Sequence, residues 1–490
     1  MTARAVMVLG TTSHAGKSWL ATALCRWYAR QGLKVAPFKA QNMSNNARVV
    51  PGPDGMGAEI GSAQYFQALA ARRDPDVRMN PVLLKPERDT ASQVIVLGRV
   101  RADLADVPWH RRSALLAPLA LDALRTLQDE NDIVIIEGAG SPAEINLQAS
   151  DYVNLGAARA STATALLVAD IDRGGAFAHL YGTHRLLPDD VRGQLRGFVL
   201  NRFRGDPALL APGPAQLEAL TGVPTLAVLP MWREHGLPEE DGVAVETVSR
   251  ICAAGPVAHR IAIVAYPRIS NLDEFQPLRQ LRGVQLIWAR RPQDLDSADL
   301  IILPGSKHTV ADLAWLREHG LAAPIAAHAA RGAPLLGVCG GLQMLGVSLH
   351  DPHGVDGGSA TGLGLLPLET RFAADKLLAR SEACFDSLDG AWRPWSGLAA
   401  GGYEIRHGRT AAQPDAPVQI ALRNAHGEPI GWQRGNVLGA YLHGLFEAPA
   451  LLETLFGETP RPLDAVFDGL ADFIDQHFQP GALRRLIEPR

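Results

Sequence analysis

The sequence is short of several things, and each shortage closes off a class of protein. Of 490 residues only four are cysteine (Cys25, Cys252, Cys339 and Cys384), widely scattered and without CxxC or Cys/His spacing. A disulfide scaffold and a cysteine-ligated metal site are therefore not expected, and reduced thiols in a cytoplasmic protein are. There is no block of Lys and Arg, and 47 basic against 51 acidic residues leave a formal charge of −4. A dedicated nucleic-acid binder is not expected from that balance. No apolar run approaches the length of a membrane span, so no membrane partner is expected. Met1-Thr2-Ala3-Arg4 leads directly into apolar Ala5-Val6-Met7-Val8-Leu9, which reads as a strand rather than a secretory leader. Internal repeats and low-complexity tracts are lacking too. What remains is an ordinary globular composition, 47% hydrophobic and 20% charged, in a chain long enough for two or three domains.

Apolar strand-like runs alternate with amphipathic stretches, the pattern of α/β architecture with parallel sheets. In the first half the runs are Ala5–Leu9, Lys34–Phe38, Gln93–Leu97, Asp132–Ile136, Thr164–Ala169, Gly197–Leu200 and Thr225–Leu229. Ser18–Gln31 and Ser113–Gln128 are the clearest helix-like stretches between them. Met231 to Arg260 changes composition and reads as a linker with one short strand at most. A second α/β series then runs through Arg260–Ala265, Val284–Trp288, Leu300–Leu303, Pro334–Val338 and Val437–Leu442. Three segments are expected: 1–250, 258–450, and a helical C-terminal tail, 451–490, with a helix over Leu463–Phe478.

The first chemical motif is Gly10-Thr11-Thr12-Ser13-His14-Ala15-Gly16-Lys17-Ser18, placed after a strand and opening a helix, as a phosphate-binding loop requires. Glycines let the backbone curl round phosphate, and the helix N-terminus supplies positive potential. Lys17 would reach the terminal phosphates and the Ser18 hydroxyl would ligate Mg²⁺. Five residues, not four, separate Gly10 from Gly16, so the first glycine is displaced by one. Asp132–Glu137 ends a strand in an acid at the edge where parallel sheets bind ligands, which makes Glu137 a metal-side carboxylate candidate. A solvated strand-end acid is the plain alternative. Asp170 and Asp172 tip another strand at that edge, for metal, substrate or helix capping. Lys39, just past Phe38, is placed to neutralise a transferring phosphate or to be an ordinary surface lysine.

The second motif is Leu335-Leu336-Gly337-Val338-Cys339-Gly340-Gly341-Leu342: strand, Cys, two glycines, helix. That is the layout of a nucleophile elbow, whose tip residue stands clear of the sheet. A thiolate there would be stabilised by the positive end of the helix; a buried structural cysteine is the competing reading. A thiol nucleophile needs a base, and His443 ends the apolar run Gly439–Leu442 with a glycine after it. Ile301-Ile302-Leu303-Pro304-Gly305-Ser306 is a third strand end. Its turn at Gly305, with the N–H of Gly340, would form an oxyanion hole, in which one donor is worth on the order of 3 kcal/mol of barrier.

Several longer stretches carry a resemblance. Lys39–Ser44, Asp76–Pro86, Glu137–Asn146, Val168–Gly175, Asn201–Asp206, Leu303–Lys307, Cys339–Met344, Gly402–Ile405 and Tyr441–Phe446 resemble blocks of the cobyric acid synthase family of glutamine-hydrolysing amide ligases. The second half is similar to class I glutamine amidotransferases, with a flavodoxin-like sheet, and the first to the P-loop enzyme dethiobiotin synthetase. The resemblance implies two doubly wound domains. In the first, Gly10, Thr11, Gly16, Lys17, Ser18 and Lys39 would face the phosphates of ATP and Asn201 its adenine. Ser18, Glu137 and Glu59 would surround Mg²⁺. In the second, Cys339 would be the nucleophile and His443 the base, with glutamine as nitrogen donor. The implied substrate is adenosylcobyrinic acid a,c-diamide, amidated at its b, d, e and g carboxylates, and Met79, Asn80 and Lys85 would line its pocket. Oligomeric state is left open, a homo-oligomer included.

One departure stands out. Most class I amidotransferases carry a Glu two residues after the His, and here that place is Leu445. What would orient His443 is not legible. Three alternatives stay open: the a,c-diamide synthase, a CTP-synthase-like ligase, and a partition-type ATPase switch in which the thiol pair is idle.

Overall fold

The computed structural model describes residues 3–88, 91–238, 251–252 and 256–488. The chain forms two compact units. The first comprises Met1–Ser44, Glu59–Leu237 and Pro462–Arg490, and the second Asn45–Ala58 and Pro238–Arg461.

The first unit is built on a six-stranded parallel sheet of Arg4–Gly10 (β1), Val35–Phe38 (β2), Ile133–Glu137 (β3), Thr164–Asp170 (β4), Leu195–Phe203 (β5) and Thr225–Pro230 (β6). The strand order is β6-β5-β4-β1-β3-β2. Every residue of β2 and β3 is buried, which is why these strands read as unbroken apolar runs rather than alternating ones. Six of the seven expected runs are strands of this sheet. The seventh, Gln93–Leu97, belongs elsewhere: Ala91–Val96 pairs antiparallel with Val82–Arg88 in a separate four-stranded sheet. Periodicity identifies a strand but not the sheet it joins.

The expected helices are Lys17–Arg30 and Trp109–Glu130. The C-terminal helix Leu463–His477 buries Val466, Phe467, Leu470, Ala471 and Ile474 at the i, i+3, i+4 spacing of one helical face. It packs on Lys17–Arg30, where Arg26, 1% exposed, pairs with Asp464 at 2.7 Å and Asp468 at 2.8 Å. Trp27 Nε1 donates to Asp475 at 2.8 Å. The expected tail 451–490 thus divides, because this apolar face completes the core of the first unit, whereas the helix Pro449–Phe456 lies within the second.

The second unit has its own parallel core of His259–Val264 (β7), Val284–Ala289 (β8), Leu300–Leu303 (β9), Leu335–Val338 (β10) and Val437–Ala440 (β11), in the order β8-β7-β9-β10-β11. The sheet continues antiparallel through Pro429–Arg434 and Gln419–Asn424 to a long hairpin, Leu368–Phe385 with Ala399–Ala412. Of the expected linker, residues 239–250 and 253–255 lie outside the described residues; Ile251–Cys252 pairs antiparallel with β8.

Candidate active site

In the first unit the strand ends gather the candidate residues. The loop leaves β1 at Gly10, and Thr11 N donates to Val168 O of β4 at 2.9 Å. Gly16 has φ of 100°, which a side chain would resist, and leads into the Lys17 helix. The first glycine has a packing reason. A Cβ on Gly10 would stand 2.8 Å from Lys17 Nζ and 2.9 Å from its Cδ, so the glycine gives the lysine its passage. Lys17 Nζ donates to Thr12 O at 2.9 Å and to Gly140 O at 3.0 Å, tying the loop to the turn after β3.

Glu137 ends β3 fully buried. Its Oε1 accepts from Ser18 Oγ at 2.8 Å and Lys39 Nζ at 2.7 Å, and its Oε2 from Gln67 Nε2 at 2.6 Å. Lys17, Ser18, Lys39 and Glu137 therefore share one place. Asn201 serves the loop itself: its Nδ2 donates to Ala15 O at 2.9 Å, where a Cβ on Gly16 would collide with it. Glu59 is buried and ion-paired with Lys85. Asp170 pairs with Arg202 at 2.8 Å and Asp172 with Arg204, so both strand-end acids are already matched by arginines.

The donor set suits magnesium. Ser18 Oγ and Glu137 Oε1 are neighbouring hard oxygens, and a Mg²⁺ site commonly uses one or two protein oxygens and leaves the rest to phosphates and water.

In the second unit Cys339 caps β10 with φ of 51° and ψ of −104°, a conformation uncommon outside glycine and of the kind found at functional turns. Its N–H donates to Ala440 O of β11 at 2.8 Å, and its Sγ lies 3.6 Å from Ile405 O. The following glycines are required by packing. A Cβ on Gly341 would lie 1.9 Å from Leu303 O, and one on Gly340 2.8 Å from Ser306 N. The helix Gly340–Leu345 can therefore sit against the end of β9. That end is fixed by Ser306 Oγ donating to Asp312 Oδ2 at 2.6 Å and by Ser270 N donating to Gly305 O at 3.0 Å. Burial pushes the Asp312 carboxyl up to about 7. A Cβ on Gly305 would stand 2.8 Å from His443 Cε1. Gly305, Gly340, Cys339 and His443 are thus brought together.

His443 follows β11, is 1% exposed, and stacks on Tyr403 with centroids 5.2 Å apart and planes at 15°. The acid that the sequence did not disclose is Glu274. Its Oε1 lies 3.0 Å from His443 Nδ1, and its Oε2 accepts from Gly444 N at 3.0 Å. Nδ1 is thereby engaged, and Nε2 is the ring nitrogen that remains. Burial alone would push His443 down, but the charges and hydrogen bonds of Glu274 and Cys339 outweigh it and raise the imidazole to about 10. Glu274 is fully buried, on the 3₁₀ turn Leu272–Gln280, 169 residues from the histidine in sequence. Its only sequence signal was an Asp-Glu pair ahead of Phe275. Cys25, the other thiol buried in the described residues, is raised by burial and further by the charge of Glu137.

Residues 6–240 match the family described as CobQ/CobB/MinD/ParA nucleotide binding domain, and residues 260–451 that described as CobB/CobQ-like glutamine amidotransferase domain. Fold and site together define a glutamine-dependent amide ligase carrying a nucleotide-binding domain. The chain is 70% identical to the cobyric acid synthase of Methylibium petroleiphilum, over 99% of its own length and 97% of that protein. It is 66% identical to that of Leptothrix cholodnii (100% and 98% covered) and 64% to that of Variovorax paradoxus (99% and 100%). The chain belongs to the cobyric acid synthase family. Agreement along the whole length sets aside the CTP-synthase-like, a,c-diamide synthase and partition-ATPase alternatives.

Proposed function

We propose that the enzyme converts adenosylcobyrinic acid a,c-diamide to adenosylcobyric acid, amidating the b, d, e and g carboxylates with ATP and with ammonia cut from glutamine, in the cytoplasm. The observation that carries the reading is Cys339 at a strained strand-to-helix turn with His443 and Glu274 behind it.

Glutamine hydrolysis follows from that geometry. Glu274 holds Nδ1, so Nε2 is presented to sulfur. Cys339 Sγ attacks the amide carbon, and the oxyanion that forms is met by backbone N–H groups at the Gly305 turn and at Gly340. His443 gives its proton to the departing nitrogen, and the C–N bond breaks to release ammonia and leave a thioester. Water, deprotonated by His443, then opens the thioester to glutamate and free thiol.

On the other unit, Lys17 draws the terminal phosphate toward the loop and Lys39 offsets the charge that builds on the phosphoryl group as a corrinoid carboxylate oxygen attacks it. ADP leaves, and ammonia displaces phosphate from the acyl phosphate to give the amide. Ser18 and Glu137 are the residues that would hold Mg²⁺, which when bound supplies further positive charge at the phosphates. Glu59, engaged with Lys85, is left out of that set.

Cys339→Ala should abolish amidation with glutamine and leave amidation with ammonium salts, whereas Lys17→Ala should abolish both. Glutamine-dependent synthesis surviving in Cys339→Ala would sink the reading.

A further inference from the structure

The amidotransferase unit contains a stretch from far upstream, Asn45–Ala58, which the sequence places between the Lys39–Ser44 block and Glu59. Three consecutive residues of it meet three consecutive residues of the turn that carries Glu274. Leu272 N donates to Asn46 Oδ1 at 3.0 Å, Ala47 N donates to Asn271 Oδ1 at 3.0 Å, and Arg48 Nε donates to Asp273 Oδ2 at 2.9 Å. Asn271 in turn stands 3.4 Å from His443 Nδ1.

Arg48 does more than close this register. It is 2% exposed, and its fork also serves Glu447, with Nη1 2.9 Å from Oε2. Its guanidinium lies 5.0 Å from the centroid of Tyr403, the ring on which His443 stacks. Burial alone would push Arg48 down, but Asp273 and Glu447 hold it well above its ordinary value. So one cation grips the residue before Glu274, a carboxylate three residues beyond Gly444, and the aromatic face behind the imidazole. Two buried carboxylates, Asp273 and Glu274, and the partly exposed Glu447 crowd this corner with the Tyr403 hydroxyl. Arg48 neutralises two of them and leaves Glu274 to act on His443 alone. A buried arginine bridging two acids is a poor device for stability, since an apolar filling commonly does as well or better. Its forked geometry suits holding two groups at fixed spacing.

We propose that Arg48 is a positioning residue for glutamine hydrolysis, setting the Glu274–His443 geometry from a segment outside the stretch that resembles a glutamine amidotransferase. The inference rests on the reading of Cys339 and His443 as nucleophile and base.

Arg48→Lys in the full chain tests it, because lysine keeps the buried charge and so the fold, but cannot serve both carboxylates and the ring. The expected result is a fall in glutamine-dependent kcat on the order of 10–100-fold, as misplacement of a catalytic group by about 1 Å produces. The KM for glutamine and the ammonia-dependent rate should stay near wild type. In a Glu274→Gln background the same change should cost much less, because it acts through Glu274. A glutamine-dependent kcat within about twofold of wild type would overturn the proposal, as would full additivity with Glu274→Gln or an equal fall with ammonia. Cys339→Ala assayed alongside separates the two failures. If it still hydrolyses glutamine, the underlying reading falls; if it is dead while Arg48→Lys is unimpaired, only the role of Arg48 does.

Discussion

Leu445 and Glu274 together explain how a histidine can lack the acid at the usual place in sequence and still be oriented. The carboxylate arrives on a different turn and makes two bonds, to His443 Nδ1 and to the N–H of Gly444, so ring and backbone are fixed at once. Cys339 and His443 were legible because strand, Cys, Gly-Gly and a strand-end His are local patterns. Glu274 was not, because partnership across 169 residues is a property of the folded chain. Its charge has a pH signature. His443 is raised from its ordinary 6.5 to about 10, so its proton is retained through neutrality and lost only as pH climbs through that value. In the proposed mechanism that proton goes to the leaving nitrogen, so hydrolysis should fall along the same alkaline limb. In Glu274→Gln one of the two raising charges is gone, only that of Cys339 remaining, while burial still pushes the imidazole down. The limb of the glutamine-dependent rate should move to lower pH, with kcat reduced roughly 10²–10⁴-fold, the usual scale of general acid–base assistance. A pH–rate profile of the variant checks both; an unmoved limb would deny Glu274 its role.

Elements were predicted better than their company. The phosphate loop, the thiol elbow and all five parallel strands of the second unit were readable, since a doubly covered strand is an apolar run and a functional turn is a cluster of glycines. That Gly10 is a glycine now has a cause in the passage of Lys17. The long hairpin Leu368–Phe385 with Ala399–Ala412 was missed: its alternation is clean only at the ends, and mid-strand Ala373–Ala379 is half-exposed and irregular. The C-terminal helix was foreseen as a helix but its apolar face had no visible destination. That face now defines a stability prediction. Phe467, 1% exposed, sits in the core formed with the Lys17 helix. Phe467→Ala should cost about 3–5 kcal/mol, the usual range for emptying a buried aromatic site. Denaturant titration of the first unit's unfolding should read this; a loss below about 1 kcal/mol would mean the helix is not integral to that core.

At the scale of the whole molecule, the two units are not two contiguous halves. The chain enters the second unit at Asn45, returns at Glu59, and comes back to the first at Pro462 after completing the amidotransferase sheet. Reading contiguous segments from composition could not reveal this, because the Pro/Gly stretches Pro51–Gly57 and Gly457–Pro462 mark loops without saying which unit the chain joins next. Functionally, the account assigns ammonia production to one unit and carboxylate activation to the other, with the nitrogen passing between two chemistries on one chain. The most direct test follows that atom. Glutamine labelled with ¹⁵N in its side-chain amide is given to the wild-type enzyme with ATP and the corrinoid diamide, and the product is read by mass spectrometry. The account predicts ¹⁵N in every newly formed amide, and none from labelled glutamine in Cys339→Ala supplied with unlabelled ammonium. Product from wild-type enzyme whose new amides lack the label would contradict it.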